Sequence, residues 1–109
     1  MSIFSFKRKS TAVFIVEDIS LDGTLMNVSD DTFTFIVKKN IKDPDSSAVM
    51  SGELNAVDYG LESKVFKVLT EEETDIEPYT YPVTVKWVTS TGRTYYINGY
   101  MKCEDIAFN

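Results

Sequence analysis

A chain of 109 residues has room for one hydrophobic core, and 43% hydrophobic against 26% charged residues is the balance of a folded domain, not of a disordered segment. The formal charge is −6; Lys7, Arg8 and Lys9 hold three of the eleven basic residues, leaving eight against seventeen acids elsewhere, a body that repels phosphate backbones and excludes nucleic acid as the main ligand. With no histidine and a single cysteine, Cys103, the chain excludes His-based triads, ordinary zinc sites and an intramolecular disulfide, and it implies no cofactor.

The N-terminus carries Ile3, Phe4 and Phe6 ahead of the basic triplet, the reverse of a secretory signal, and no run approaches the ~20 apolar residues of a membrane-spanning helix. The expectation is a chain that stays in the cytosol and has no membrane partner. Residues 1–10 read in two ways, as an edge strand of the domain or as an arm that docks on a neighbouring subunit.

From Thr11 onward β-branched and aromatic residues come in short runs broken by Asp, Asn, Gly and Pro, the pattern of strands and turns. Val13 to Val16 is the first run, and Leu21-Asp22-Gly23-Thr24 is a turn leading into Leu25 to Val28. Thr32 to Lys38 is the clearest strand, with Phe33, Phe35 and Val37 on its core face. Asn40 to Ser47, centred on Asp43-Pro44-Asp45, is a polar loop in which Pro presets the turn. Ala48 to Leu54 is a weaker strand, followed by a loop or bulged edge over residues 55–62. Ser63 to Leu69 alternates again, and of its two faces the one carrying Phe66 and Val68 looks more apolar than the one carrying Val65, Lys67 and Leu69.

Thr70 to Asp75 fits one helical turn with Thr70 and Glu73 as a capping box, and Pro78 forbids more. Tyr79 to Val88 and Arg93 to Cys103 are two long strands joined by Thr89-Ser90-Thr91-Gly92, a hairpin signal. A tyrosine at the corner before the penultimate strand, bonding back to the preceding turn, is a recurrent device of sandwiches, and Asp75 to Val83 supplies the candidates. About seven strands over this length predict one all-β domain spanning 1–109, an immunoglobulin-like antiparallel sandwich, with a small open barrel as the alternative. The expected core is Phe33, Phe35, Val37, Phe66, Val83, Val85 and Trp87.

No catalytic or metal-binding residue stands out. Glu71 to Glu77 is the densest acidic run but lacks the alternation and glycine of a calcium loop, so it reads as a solvated turn, as do Asp43 and Asp45. Cys103 reads as a small buried hydrophobe. The candidate interface residues are Ile3, Phe4, Phe6, Lys7, Arg8 and Lys9 at the N-terminus and Tyr95, Tyr96 and Tyr100 on the last strand, where alternation forces at least one of the adjacent pair outward.

Asp31-Thr32-Phe33-Thr34-Phe35 into Val37-Lys38-Lys39-Asn40, then Asp43-Pro44-Asp45-Ser46-Ser47-Ala48, resembles a stretch common in small β-sandwich proteins of tailed bacteriophages. Glu73-Thr74-Asp75-Ile76 through Pro78-Tyr79-Thr80-Tyr81-Pro82-Val83, and Ser90-Thr91-Gly92-Arg93 followed by Gly99-Tyr100-Met101, continue the resemblance, although a glycine after Pro78 and an acid at Pro82 are missing. The chain is similar to the N-terminal domain of phage baseplate upper proteins and related immunoglobulin-like tail proteins. That resemblance implies a non-enzymatic phage or prophage virion structural protein of the tail, baseplate or head-tail connection. It implies assembly in the host bacterial cytoplasm, other virion or tail proteins as partners, and a homo-oligomer. The alternative is a stand-alone carbohydrate- or protein-binding module using Tyr59 and the tyrosines near the hairpin.

Overall fold

A computed structural model of the protein describes residues 3–56 and 63–107. Among them the structure is all-β, with strands β1 (Ile3–Lys7), β2 (Ala12–Val16), β3 (Ser20–Leu21), β4 (Thr24–Leu25), β5 (Thr32–Val37), β6 (Met50–Ala56), β7 (Val65–Leu69), β8 (Tyr79–Val88) and β9 (Thr94–Glu104), and one 3-10 turn at Asp45–Ser47. Seven strands form one sheet in the order β1-β9-β8-β5-β6-β7-β2, while β3 and β4 pair with each other. The sheet turns its corner at β6, whose Phe33 to Val37 partners are Leu54 to Met50 while Asn55 and Ala56 pair with Phe66 and Val65. Curled in this way the sheet nearly closes into a barrel, and the Phe4 and Phe14 rings of the end strands β1 and β2 stand 5.2 Å apart across the opening.

Alternation decides which side chains fill the interior. Phe33, Phe35 and Val37 of β5 lie opposite Trp87, Val85 and Val83 of β8, and all six are buried. The Trp87 ring stacks on Phe33 at 5.8 Å and its indole N–H donates to the Asp31 carboxylate at 2.7 Å, so the largest core side chain keeps its polar atom satisfied. The tyrosine corner is Tyr81, whose hydroxyl donates to the Glu77 carbonyl while its ring is buried.

β7 corrects the sequence reading. Val65 and Leu69 are buried and Phe66 is only half-buried, so Phe66 leaves the core list and the face that carries Lys67 is the inner one. The physical reason is Gly52: it sits at an inward position opposite Phe35, and a Cβ there would come within 3.2 Å of both the Lys67 Cε and the Phe35 ring. The missing side chain makes room for the Lys67 alkyl stem, which runs out to an ion pair with Glu73 at 3.6 Å.

The turns follow their local chemistry. Asp22 and Gly23 both take positive φ (52° and 81°), as a two-residue hairpin requires, although only Thr24–Leu25 pairs where a strand to Val28 is expected. The Thr70 hydroxyl accepts from the Glu73 N–H at 3.2 Å and the Glu73 carboxylate accepts from the Thr70 N–H at 3.1 Å, a complete capping box around a single turn. In the β8–β9 hairpin the Thr89 N–H donates to the Arg93 carbonyl and Gly92 closes the loop at φ 87°.

Candidate interaction surfaces

The structure places the N-terminal segment in the chain's own sheet. β1 runs parallel to β9, with Phe4 opposite Met101, Phe6 opposite Cys103 and Lys7 opposite Glu104. Phe6 is buried and Phe4 partly so, stacked on one another at 5.9 Å. Residues 3–7 are thus the edge strand of the two readings. The basic triplet divides: Lys7 pairs with Glu104 and Arg8 with Asp75, each at 3.1 Å, while Lys9 is exposed at φ 60° and takes part in no ion pair among the described residues. The bond from Lys7 holds the Glu104 carboxyl below the usual range. Ile3 falls opposite Tyr100 in register.

The tyrosines separate by strand face. Tyr95 points inward and packs on Trp87 at 5.1 Å, so it supports the core instead of offering itself to a partner. Tyr96 (63% exposed) and Tyr100 (51%) point outward from β9. Tyr59 lies outside the described residues.

Around Tyr96 the outer face of β5, β8 and β9 forms a groove of about 440 Å³ lined by Ile36, Lys38, Ile41, Pro82 and Lys86. Pro82 stands opposite Tyr100 and Lys86 opposite Tyr96. Lys38 is fixed there by an ion pair with Asp45 at 2.7 Å and a bond to the Asp43 carbonyl at 2.8 Å, so the Asp-Pro-Asp loop is built as turn chemistry that anchors one wall of the groove. A second cleft of about 580 Å³ lies where β1 and β2 diverge, with Phe4, Phe14, Ile19 and Ile97 on its walls and Glu17 and Asp18 at its rim.

The other residues weighed for chemistry are occupied structurally. Within the acidic run, Glu73 caps its turn and meets Lys67, Asp75 meets Arg8, and Glu77 meets Lys39 at 3.1 Å. The Cys103 thiol is buried and donates to the Ile76 carbonyl at 3.7 Å; burial pushes it above its ordinary value, with the Arg8 charge acting the other way.

Sequence reasoning passed over one surface. In the β2–β7 pair Val13 lies opposite Val68 and Ile15 opposite Phe66, and these four point away from the core. Val13, Ile15 and Val68 are 46%, 43% and 49% exposed. The signal was present in Ala12-Val13-Phe14-Ile15-Val16, an unbroken apolar run where a strand with one wet face alternates.

No protein-family model matches the chain, and no curated protein does. Among solved structures, the major subunit of aggregative adherence fimbriae type I from Escherichia coli aligns over 97% of this chain and 91% of its own, at 12% identity and a TM-score of 0.32.

Proposed function

We propose that this protein is a non-enzymatic structural component of a phage or prophage virion, in the tail, baseplate or head-tail connection, that works by packing against other virion proteins. The observation that carries the assembly reading is the outer face of β9, where Tyr96 and Tyr100 are both more than half exposed beside Pro82 and Ile36. Large amphipathic rings held on a rigid sheet are the side chains that contribute most to protein interfaces, because they bury much area and lose little side-chain freedom. Beside that face Lys38 is engaged by Asp45 and by the Asp43 carbonyl, in the turn that builds one wall of the groove. The virion assignment itself draws on the sequence resemblance described above.

Tagged protein expressed in phage-producing cells should co-purify with tail or baseplate proteins at fixed stoichiometry, and Tyr96→Ala with Tyr100→Ala should abolish the co-purification while the circular dichroism spectrum stays unchanged. Recovery of the protein without any virion component would sink the proposal. A second reading, a binding module for carbohydrate, is favoured by the groove that sets Tyr96 beside Thr34, Thr84 and Lys86. It requires a saccharide-dependent rise in melting temperature that Tyr96→Ala removes.

A further inference from the structure

We infer that Asp22–Gly23 is a site of spontaneous backbone modification, where the chain acquires an isoaspartyl linkage, and that the fold protects the intrinsically faster site, Asn98–Gly99. These are the two places in the chain where Asp or Asn precedes glycine. There the next residue's amide nitrogen can attack the side-chain carbonyl carbon in a five-membered ring, and glycine, lacking Cβ, leaves that nitrogen open to approach. In a solvated chain at neutral pH the Asn-Gly step reacts faster, because an ionised carboxylate resists attack and an amide does not.

The structure reverses that order. Gly99 lies opposite Val83 in the β8–β9 ladder. The bond from the Thr89 N–H to the Arg93 carbonyl fixes the alternation, and stepping by twos from that pair makes Val83 and Gly99 a hydrogen-bonded pair. The Gly99 N–H is thus committed to the ladder, while the Asn98 Oδ1 accepts from the Thr84 hydroxyl at 2.9 Å. The two reacting groups meet only if the two longest strands of the sheet separate.

At Asp22–Gly23 these restraints are missing. Both residues are exposed. Among the described residues the Asp22 carboxylate has no hydrogen bond or ion pair, and the Gly23 N–H has no acceptor. A Cβ at Gly23 would meet no atom within 4 Å, so the nitrogen is sterically open. Asp22 holds φ 52°, a left-handed conformation that costs a residue with a Cβ and that it gives up easily. The surrounding hairpin has two residues per strand and forms its own sheet, so rotating Asp22 toward ring closure disturbs only the Ser20–Leu25 and Leu21–Thr24 pairs.

The chemistry needs no partner but water. The Gly23 nitrogen attacks Cγ of the protonated Asp22 carboxyl and loses its proton; a C–N bond forms, a C–O bond breaks, and one carboxyl oxygen leaves as water. Water then opens the resulting succinimide. Opening at Cγ restores aspartate, whereas opening at the main-chain carbonyl carbon leaves the chain running through Cγ as isoaspartate. Mass and oxidation state are unchanged, but the backbone gains one carbon, and the two-residue loop length that sets the Leu21–Thr24 pairing is lost.

The test is to hold the full chain at neutral pH and physiological temperature for weeks, folded and, in parallel, in concentrated guanidinium chloride. Mass spectrometry with electron-transfer fragmentation reads both sites, and so does digestion with endoproteinase Asp-N, which cuts before aspartate but not before isoaspartate. In the folded protein isoaspartate should build up at Asp22 several-fold faster than Asn98 is deamidated. In denaturant the order should invert, because Gly99 is released from its ladder. Asp22→Glu, which would need a six-membered ring, should abolish the product at that position; the comparison of folded and unfolded wild-type protein stands even if this variant disturbs the turn. Folded protein that deamidates Asn98 faster than it isomerises Asp22 overturns the inference. So does isoaspartate forming equally at the other aspartates, or an unchanged Asp22 in folded protein while the unfolded chain reacts there.

Discussion

At the scale of single residues, the most consequential side chain is Trp87, buried to 1%, stacked on Phe33 and donating to Asp31. Truncating it leaves a cavity and an unpaired carboxylate acceptor, so Trp87→Ala should cost ~3–5 kcal/mol in urea denaturation. Phe66→Ala, on the outer face, should cost well under half of that. Equal losses at the two positions would contradict the burial seen in the structure. Two buried acids set the alkaline limit. Burial raises the Cys103 thiol above its ordinary 9.0 and the Tyr81 phenol above its ordinary 10.0. A group whose pKa is raised in the native state keeps its proton where the unfolded chain has lost it. Its stabilising contribution is therefore complete below pH 9 and falls as pH rises from there through the folded-state values. The urea midpoint should hold between pH 7 and 8.5 and decline above 9, and Cys103→Ala should remove the earlier part of that decline.

At the scale of elements, β1 decides what an N-terminal truncation does. Its parallel pairing with β9 and the burial of Phe6 make it part of the sheet, so deleting residues 1–9 should lower the melting temperature of the monomer, by loss of one strand and of a buried aromatic worth ~3–5 kcal/mol alone. A truncated protein as stable as the full chain would instead mark the segment as an accessory. The strands themselves were largely legible in the sequence: β5, β8 and β9 alternate cleanly, and Gly92 and Asp22-Gly23 announce their turns. β7 was misread because hydrophobicity was judged residue by residue. Lys67 counts as polar in sequence, yet its stem is apolar and Gly52, fifteen positions away and on another strand, clears the space for it. The N-terminal segment was ambiguous for a related reason, since a parallel partner more than ninety residues distant leaves no trace in local pattern. Of the interface candidates, alternation predicted that one of Tyr95 and Tyr96 faces out but not which; the burial of Trp87 beneath Tyr95 settles it.

At the scale of the whole molecule, stability should not depend on a divalent cation. The acidic run is engaged by Arg8, Lys39, Lys67 and its own capping turn, so sub-millimolar calcium should leave the melting temperature within a degree or so of its value in chelator. A rise of several degrees with calcium and none with magnesium would show that those carboxylates regroup around a metal. The parallel β1–β9 pair has a mechanical consequence as well. Ile3 begins at Tyr100 and Lys7 ends at Glu104, so the leading end of β1 and the trailing end of β9 lie at opposite ends of one ladder. Tension applied between those two ends loads the hydrogen bonds of all five registered pairs at once, in shear, instead of peeling them one after another. A chain joined at both ends to larger neighbours would thus resist stretching along that line far better than across it, and would yield at β1 first.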